Sequence, residues 1–353
     1  MEFYNIYSLR NEVPAVKDKL GRIRTFSVFN EFHKPELSKS LYKQGFRPIY
    51  PENKKMCVVL SHDVDYIYDN KSNLEVAKKL IKKLLQLNIK AVLKEINSLV
   101  LNKPNPAWLL DRIIDFEFNN NIKSTYFFLA LSKEDKDFNY NINCLIKQIK
   151  QISKNKSEIA FHGGLDAYNN EYHFLKELDQ LKKMVPEIQI KGYRSHFLMY
   201  EHITTHNLIE KFGFDYDATL GLPDNIGFRN GMCYPFRPIN LSTGKFRDIL
   251  EIPLNVMDVS FFKYMNLNLE DSFKLFVNIY KEVKEVSGVL SILWHNNNFD
   301  DDYETLYYKI MNYVKNDQDS WITTHGELAA HWRENNLTDL EAHLNKKFKN
   351  DTK

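Results

Sequence analysis

The chain has 353 residues, 43% hydrophobic and 27% charged, which is ordinary globular composition with ample material for a core. Basic and acidic side chains nearly balance, 48 against 46, so the net charge of +2 asks for no nucleic-acid partner. Cys57, Cys144 and Cys233 are far apart and odd in number, which excludes a disulfide framework and a thiolate metal site.

Residues 1–54 lack clear periodicity and are read as an extension packed on the main domain. They carry scattered charge and no apolar core of signal-peptide length, and no run of about 18 apolar residues occurs anywhere. No transmembrane segment is expected, and the expected location is the cytoplasm. The first strand is 57–61, where Cys57-Val58-Val59-Leu60 runs into Ser61-His62-Asp63-Val64-Asp65. A short, non-alternating apolar run suits a strand buried on both faces of a parallel sheet. Helical spacing of Leu80, Leu84 and Leu87 predicts a helix over 74–101, broken by Asn102 to Pro106. Helix and strand then alternate: helix 108–119, strand 124–129, helix 141–153, strand 158–161, helix 171–184, strand 191–194, helix 201–212 and strand 214–216. A long loop, 219–247, is rich in Gly, Pro and Asn. After it come strand 250–253, helix 269–286, strand 289–294, helix 302–315, strand 321–324 and an amphipathic helical tail, 326–353. Seven or eight βα units imply an α/β fold with a mainly parallel sheet, closed as a barrel over 55–325.

The strands end in ionisable groups. Strand one delivers His62, Asp63 and Asp65; the 158–161 strand delivers His162 and Asp166; the 191–194 strand delivers Arg194 and His196. Asp217 follows the 214–216 strand, and Trp294 and His295 end the strand at 289–294. Barrel strands converge at these ends, so the groups converge on one site. His162 and Asp166, four apart, would face the same way on a helical turn and share a divalent cation with Asp65. Such an ion lowers the pKa of its water. Asp63 would take the proton, and His295 would donate to a departing amine. Arg194 with Asp217 would form a charged pair that orients Asp63. For His62 and His196 three roles stay open: ligand, support of a ligand, or structure. In the 219–247 loop, Asp224, Arg229 and Asn230 are candidates for contacting substrate, with Arg229 offering a fork to an anionic group.

These residues resemble the motifs of the polysaccharide deacetylase family, metal-dependent carbohydrate esterases on a distorted (β/α) barrel. Ser61-His62-Asp63-Val64-Asp65 looks like the first motif, His162-Gly163-Gly164-Leu165-Asp166 the second, Arg194-Ser195-His196-Phe197 the third, Asp217 the fourth, and Ser291-Ile292-Leu293-Trp294-His295 the fifth. The resemblance implies a distorted (β/α)7-8 barrel, Asp63 as base, and Asp65, His162 and Asp166 as ligands. The ion would be zinc, with manganese, iron or cobalt as alternatives. Asp166 stands where that family has a second histidine, and His196 where it has a proline. The segment Gly227-Phe228-Arg229-Asn230-Gly231-Met232-Cys233-Tyr234-Pro235-Phe236 is similar to one cytoplasmic bacterial branch thought to serve surface-polysaccharide synthesis. The expected activity is removal of an N-acetyl or O-acetyl group from an amino sugar, nucleotide-sugar or lipid-linked glycan. His196, Asp224, Arg229, Asn230 and Trp294 would contact that substrate. A non-sugar amide hydrolase on the same barrel and a non-catalytic carbohydrate-binding protein are the competing expectations.

Overall fold

A computed structural model describes residues 2–12, 16–25, 31–67, 110–299 and 301–351, plus isolated positions between 81 and 96. The helix expected over 74–101 otherwise lies outside the described residues. Among the described residues nine strands form one sheet: β1 (Met56–Val64), β2 (Thr125–Leu129), β3 (Glu158–Gly163), β4 (Gly192–Ser195), β5 (Tyr216–Asp217), β6 (Leu250–Glu251), β7 (Val256–Met257), β8 (Val289–Leu293) and β9 (Ser320–Thr323). Helices α1 (Glu2–Tyr7) and α2 (Glu36–Lys43) precede it. α3 (Leu110–Asn119), α4 (Ile146–Lys154), α5 (Glu171–Met184), α6 (Thr204–Lys211), α7 (Leu269–Glu285) and α8 (Asp301–Asn316) alternate with the strands. α9 (His325–Asn335) and α10 (Leu337–Asp351) end the described chain.

The strand order is β6-β5-β4-β3-β2-β1-β8-β7, with every ladder parallel. The sheet curls into a distorted (β/α) barrel with the helices outside. β1 is buried along its whole length, as its apolar run demands. Its first half pairs with β9 through Met56↔Ser320 to Val59↔Thr323, and its second half pairs with β2 through Ser61↔Thr125 to Val64↔Phe128. β9 therefore fills the floor, and β2 takes over toward the mouth.

The helices start where local chemistry allows. Asn170 caps α5 by accepting from the backbone N–H groups of Tyr172 and His173, and Asn268 caps α7 by accepting from that of Asp271. Most predicted elements are present within a few residues. The differences lie near the loop. β5 and β6 are two-residue strands, and β7 was not expected. A π-helical turn, Ser260–Tyr264, follows β7. The tail is two helices, α9 and α10.

The described residues of 2–54 pack against the barrel, in part through the 219–247 loop. The Leu37 N–H donates to the Gly231 carbonyl at 3.0 Å, the Phe228 N–H to the Phe32 carbonyl at 2.7 Å, and the Tyr7 hydroxyl to the Arg237 carbonyl at 2.7 Å. Gly227 has φ +146°, and a Cβ there would strike the Phe32 carbonyl oxygen, so this contact requires glycine.

Candidate active site

Strand alternation sorts the charged end of β1. Ser61, Asp63 and Asp65 face the barrel interior, and His62 faces the helices. Arg194, from β4, is fully buried, with its guanidinium 4.2 Å from the centre of the Phe127 ring. Its Nη1 donates to Asp63 Oδ1 at 2.8 Å and to Ser61 Oγ at 2.9 Å, and its Nε donates to the Ala218 carbonyl at 2.9 Å. One carboxylate oxygen of Asp63 is thereby fixed. The other, Oδ2, is 3.5 Å from His162 Nε2.

His162 pairs in register with Arg194 across β3 and β4. Its Nδ1 lies 3.0 Å from the Arg194 carbonyl, so Nδ1 carries the proton and the Nε2 lone pair is left for another partner. That Nε2 is 3.2 Å from Asp65 Oδ1. His196 follows β4, and its Nε2 is 3.6 Å from Asp65 Oδ2. The turn holding His196 is strained: Phe197 and Leu198 have φ of +57° and +55° without being glycine. Gly163 is small because the Tyr193 ring would stand 2.7 Å from a Cβ there.

Asp65 Oδ1, His162 Nε2 and both ring nitrogens of His196 are buried and lack hydrogen-bond partners. Buried polar atoms are nearly always satisfied, so such convergence calls for a missing partner. One ligand atom from each of Asp65, His162 and His196 falls within a 4.8 Å group. Two imidazoles and a carboxylate with an open side are the donor set of a catalytic divalent ion, and the residues fit one. Burial opposes charge on Asp65. The neighbouring imidazoles of His196, His162 and His295 outweigh it and hold the carboxyl well below the usual range.

His295, at the end of β8, closes the far side. Its Nδ1 is 2.6 Å from Asp258 Oδ1, its backbone N–H donates to Asp258 Oδ2 at 3.0 Å, and its Nε2 is 3.7 Å from Asp65 Oδ2. Burial would lower the imidazole, but Asp258 and then Asp65 push it up to about 10, so it carries a proton at neutral pH. Asp258 was missed in the sequence. The signal was there: Val256-Met257-Asp258 has the same apolar-to-acid ending as the other strands, on a strand too short to notice. A cavity of about 180 Å³ opens on Asp63, Asp65, His196 and His295, walled by Tyr66, Lys263, Tyr264 and Tyr303. A larger cleft of about 470 Å³ shares Arg22 and Leu198 with it but reaches neither Asp63 nor Asp65.

Several expectations need correction. Asp166 does not join Asp65 and His162. Its side chain is 33% exposed and pairs with Lys136 at 2.7 Å, because β3 runs on through His162 and Gly163 and the chain turns away before Asp166. His196 takes the expected place of Asp166. Asp217 does not pair with Arg194: its Oδ2 and Arg194 Nη2 both lack partners, while its Oδ1 accepts from the Thr219 N–H and hydroxyl. Arg194 holds Asp63 directly instead. Arg229 is bound to Glu12 through two contacts of 2.8 Å, so its fork is already occupied, although it lines the larger cleft. Asp224 accepts from Thr25. Asn230 is buried and accepts from the Met232 N–H at 3.3 Å, and Trp294 is buried with its indole N–H donating to the Asn298 carbonyl at 2.7 Å. None of Asp224, Asn230 and Trp294 lines either cavity. His62 is structural: it sits between the Trp294 carbonyl and Glu117 Oε1, at 2.8 and 2.7 Å.

With this geometry in view, the fold is that of the polysaccharide-deacetylase barrel. The chain matches a structure assigned as a polysaccharide deacetylase from Mycobacterium smegmatis with a TM-score of 0.56, at 17% identity over 82% of this chain and 94% of that one. It matches Puue allantoinase with a TM-score of 0.56, at 16% identity over 83% and 96% of the two chains. A structure assigned as a polysaccharide deacetylase from Pseudomonas aeruginosa PAO1 matches with a TM-score of 0.56, at 14% identity over 83% and 97%. At these identities the likeness establishes the fold alone. No protein-family model matches the chain, and no curated protein matches its sequence.

Proposed function

We propose that the chain is a metal-dependent hydrolase that removes the acetyl group from an acetylated amino sugar or glycan precursor. One observation carries this reading. The unpartnered donors of Asp65, His162 and His196 converge beside a carboxylate fixed by Arg194 and an imidazole fixed by Asp258, and Asp65, His196, Asp63 and His295 line one cavity. A divalent ion held by Asp65, His162 and His196 supplies acidification of water and polarisation of an acyl oxygen. Zinc suits two imidazoles and one carboxylate, and iron, cobalt and manganese are the alternatives. Asp63 accepts the proton of the attacking water, with Arg194 holding its carboxylate in place. His295, kept protonated by Asp258, donates to the departing nitrogen or oxygen. Tyr66, Tyr264 and Tyr303 provide faces against which a sugar ring packs. The neighbouring larger cleft leaves room for the rest of a nucleotide-sugar, lipid-linked glycan or oligosaccharide. Such precursors belong to the cytoplasm and to surface-polysaccharide synthesis. All three cysteines are free thiols, and no helix among the described residues is long and apolar enough to cross a membrane.

The allantoinase likeness favours a second reading, hydrolysis of a non-sugar amide, since it matches as well as the deacetylases do. One experiment separates the two. Chelator-stripped protein is reloaded with zinc and offered N-acetylated sugars, nucleotide-sugars and cyclic or linear amides. The deacetylase reading expects zinc-dependent acetate release from a sugar. Turnover confined to non-sugar amides would install the second reading. No turnover with the ion bound would favour a carbohydrate-binding role.

A further inference from the structure

We propose that His206, Asp217 and Glu251 form a second divalent-cation site, structural in role, which ties β5, β6 and α6 together on the outer face of the sheet. Asp217 and Glu251 are register partners on the adjacent strands β5 and β6. His206, on α6, reaches both: its Nε2 is 3.9 Å from Asp217 Oδ2 and 3.7 Å from Glu251 Oε2. All three residues are buried to within 1%. Each carboxylate is held by one oxygen and presents the other. Asp217 Oδ1 accepts from Thr219 and Glu251 Oε1 accepts from the Leu220 N–H at 3.0 Å, while Asp217 Oδ2 and Glu251 Oε2 have no hydrogen-bond partner. Anchoring one oxygen while freeing the other is how supporting contacts orient ligands toward an ion.

The charge count points the same way. The buried guanidinium groups nearby already have carboxylates: Arg194 has Asp63 at 2.8 Å, Arg229 has Glu12 at 2.8 Å, and Arg247 has Glu210 at 2.6 Å. Asp217 and Glu251 are left as two adjacent buried acids without a cation of their own. A proton shared between them would cancel one charge and leave His206 Nε2 to the Tyr200 hydroxyl, 3.4 Å away. A divalent cation answers all three atoms. Donors about 2.0–2.2 Å from one tetrahedral ion stand roughly 3.3–3.6 Å apart, so closure by a few tenths of an ångström brings His206 Nε2 into that range of both carboxylates. The Tyr200 hydroxyl, 3.4 Å from His206 Nε2, is a fourth oxygen at the same place.

The inference does not depend on the proposed activity, and metal counting separates the two. Tag-free protein is stripped with chelator, loaded with zinc, desalted, and assayed for bound zinc per chain. Two ions in the wild type, one in Asp65→Asn and one in Glu251→Gln is the expected pattern. Asp65→Asn leaves the second site untouched, so the test survives if Glu251→Gln fails to fold. One ion in the wild type that Asp65→Asn removes overturns the second site and spares the first. One ion that Asp65→Asn retains supports the second site and overturns the first. No ion in the wild type overturns both.

Discussion

Two histidine–carboxylate groups grow from opposite faces of the same strand end, and their difference teaches how to tell a structural pair from a site. On the helix side, His62 meets Glu117, and every polar atom is answered. Glu117 Oε1 accepts from His62 Nε2 at 2.7 Å and Tyr307 at 2.9 Å; its Oε2 accepts from Ser124 at 2.6 Å and Tyr126 at 2.7 Å. Both nitrogens of His62 face acceptors, so the ring is placed to donate from each. On the barrel side, Asp65, His162 and His196 are as deeply buried but leave four ring or carboxylate atoms without partners, and Asp65 and His196 open onto a cavity. A completed network locks the fold, whereas an incomplete one waits for a ligand.

The sharpest way to break the comparison is to remove a donor from the incomplete group. His162→Ala, His196→Ala and Asp65→Asn should each lose bound metal and turnover together. Asp166→Ala should keep both, because Asp166 only pairs with Lys136 at the surface. Metal content beside acetate release checks this, and loss of the ion in Asp166→Ala would restore the original ligand set. The next effect belongs to Asp63. Asp63→Asn should retain the ion and lower kcat by about 10²–10⁴-fold, the usual worth of a general base. Metal loss in that variant would make Asp63 a ligand.

On the complete side, Glu117→Gln should keep the ion but destabilise the protein by about 1–3 kcal/mol in urea, since the amide NH2 faces hydroxyls that donate to the carboxylate and those hydrogen bonds are lost. Burial raises the Glu117 carboxyl, but the charge of His62 and hydrogen bonds from His62, Ser124 and Tyr126 pull it below its ordinary value. Its contribution is therefore present above the unfolded carboxyl pKa and fades as pH falls through the depressed one. Wild-type protein should lose this stability on acidification, and Glu117→Gln should not show that part of the loss. The smallest effect concerns His295. Its raised pKa of about 10 keeps the donating form through neutral pH, while the stability it brings is full below about 6.5 and is lost as pH rises through about 10. Asp258→Asn should move the alkaline limb of the pH–rate profile toward neutrality, and an unmoved limb would detach Asp258 from His295.

Much of this was legible in the sequence. Buried strands ending in Asp63-Val64-Asp65, His162, Arg194 and His295 announce a parallel barrel with its chemistry at one rim. The third ligand was not. The spacing of His162 and Asp166 presupposes a helical turn, whereas β3 extends through Gly163 and carries Asp166 off to the surface. His196 enters through a left-handed turn at Phe197 and Leu198 that no residue type there signals. Strand alternation did separate His62 from Asp63 and Asp65 in principle, because a period of two puts neighbours on opposite faces. The partners of the 219–247 loop, Glu12 and Thr25 among them, lie some two hundred residues away, so Arg229 and Asp224 looked free when they were not.

The account rests on one ion held by Asp65, His162 and His196. An anomalous-difference map from zinc-loaded crystals, recorded at the zinc edge, tests it most directly. The prediction is a peak about 2.0–2.2 Å from the Asp65 carboxylate, His162 Nε2 and His196 Nε2. No peak between these residues, or one held by Asp166, would contradict it.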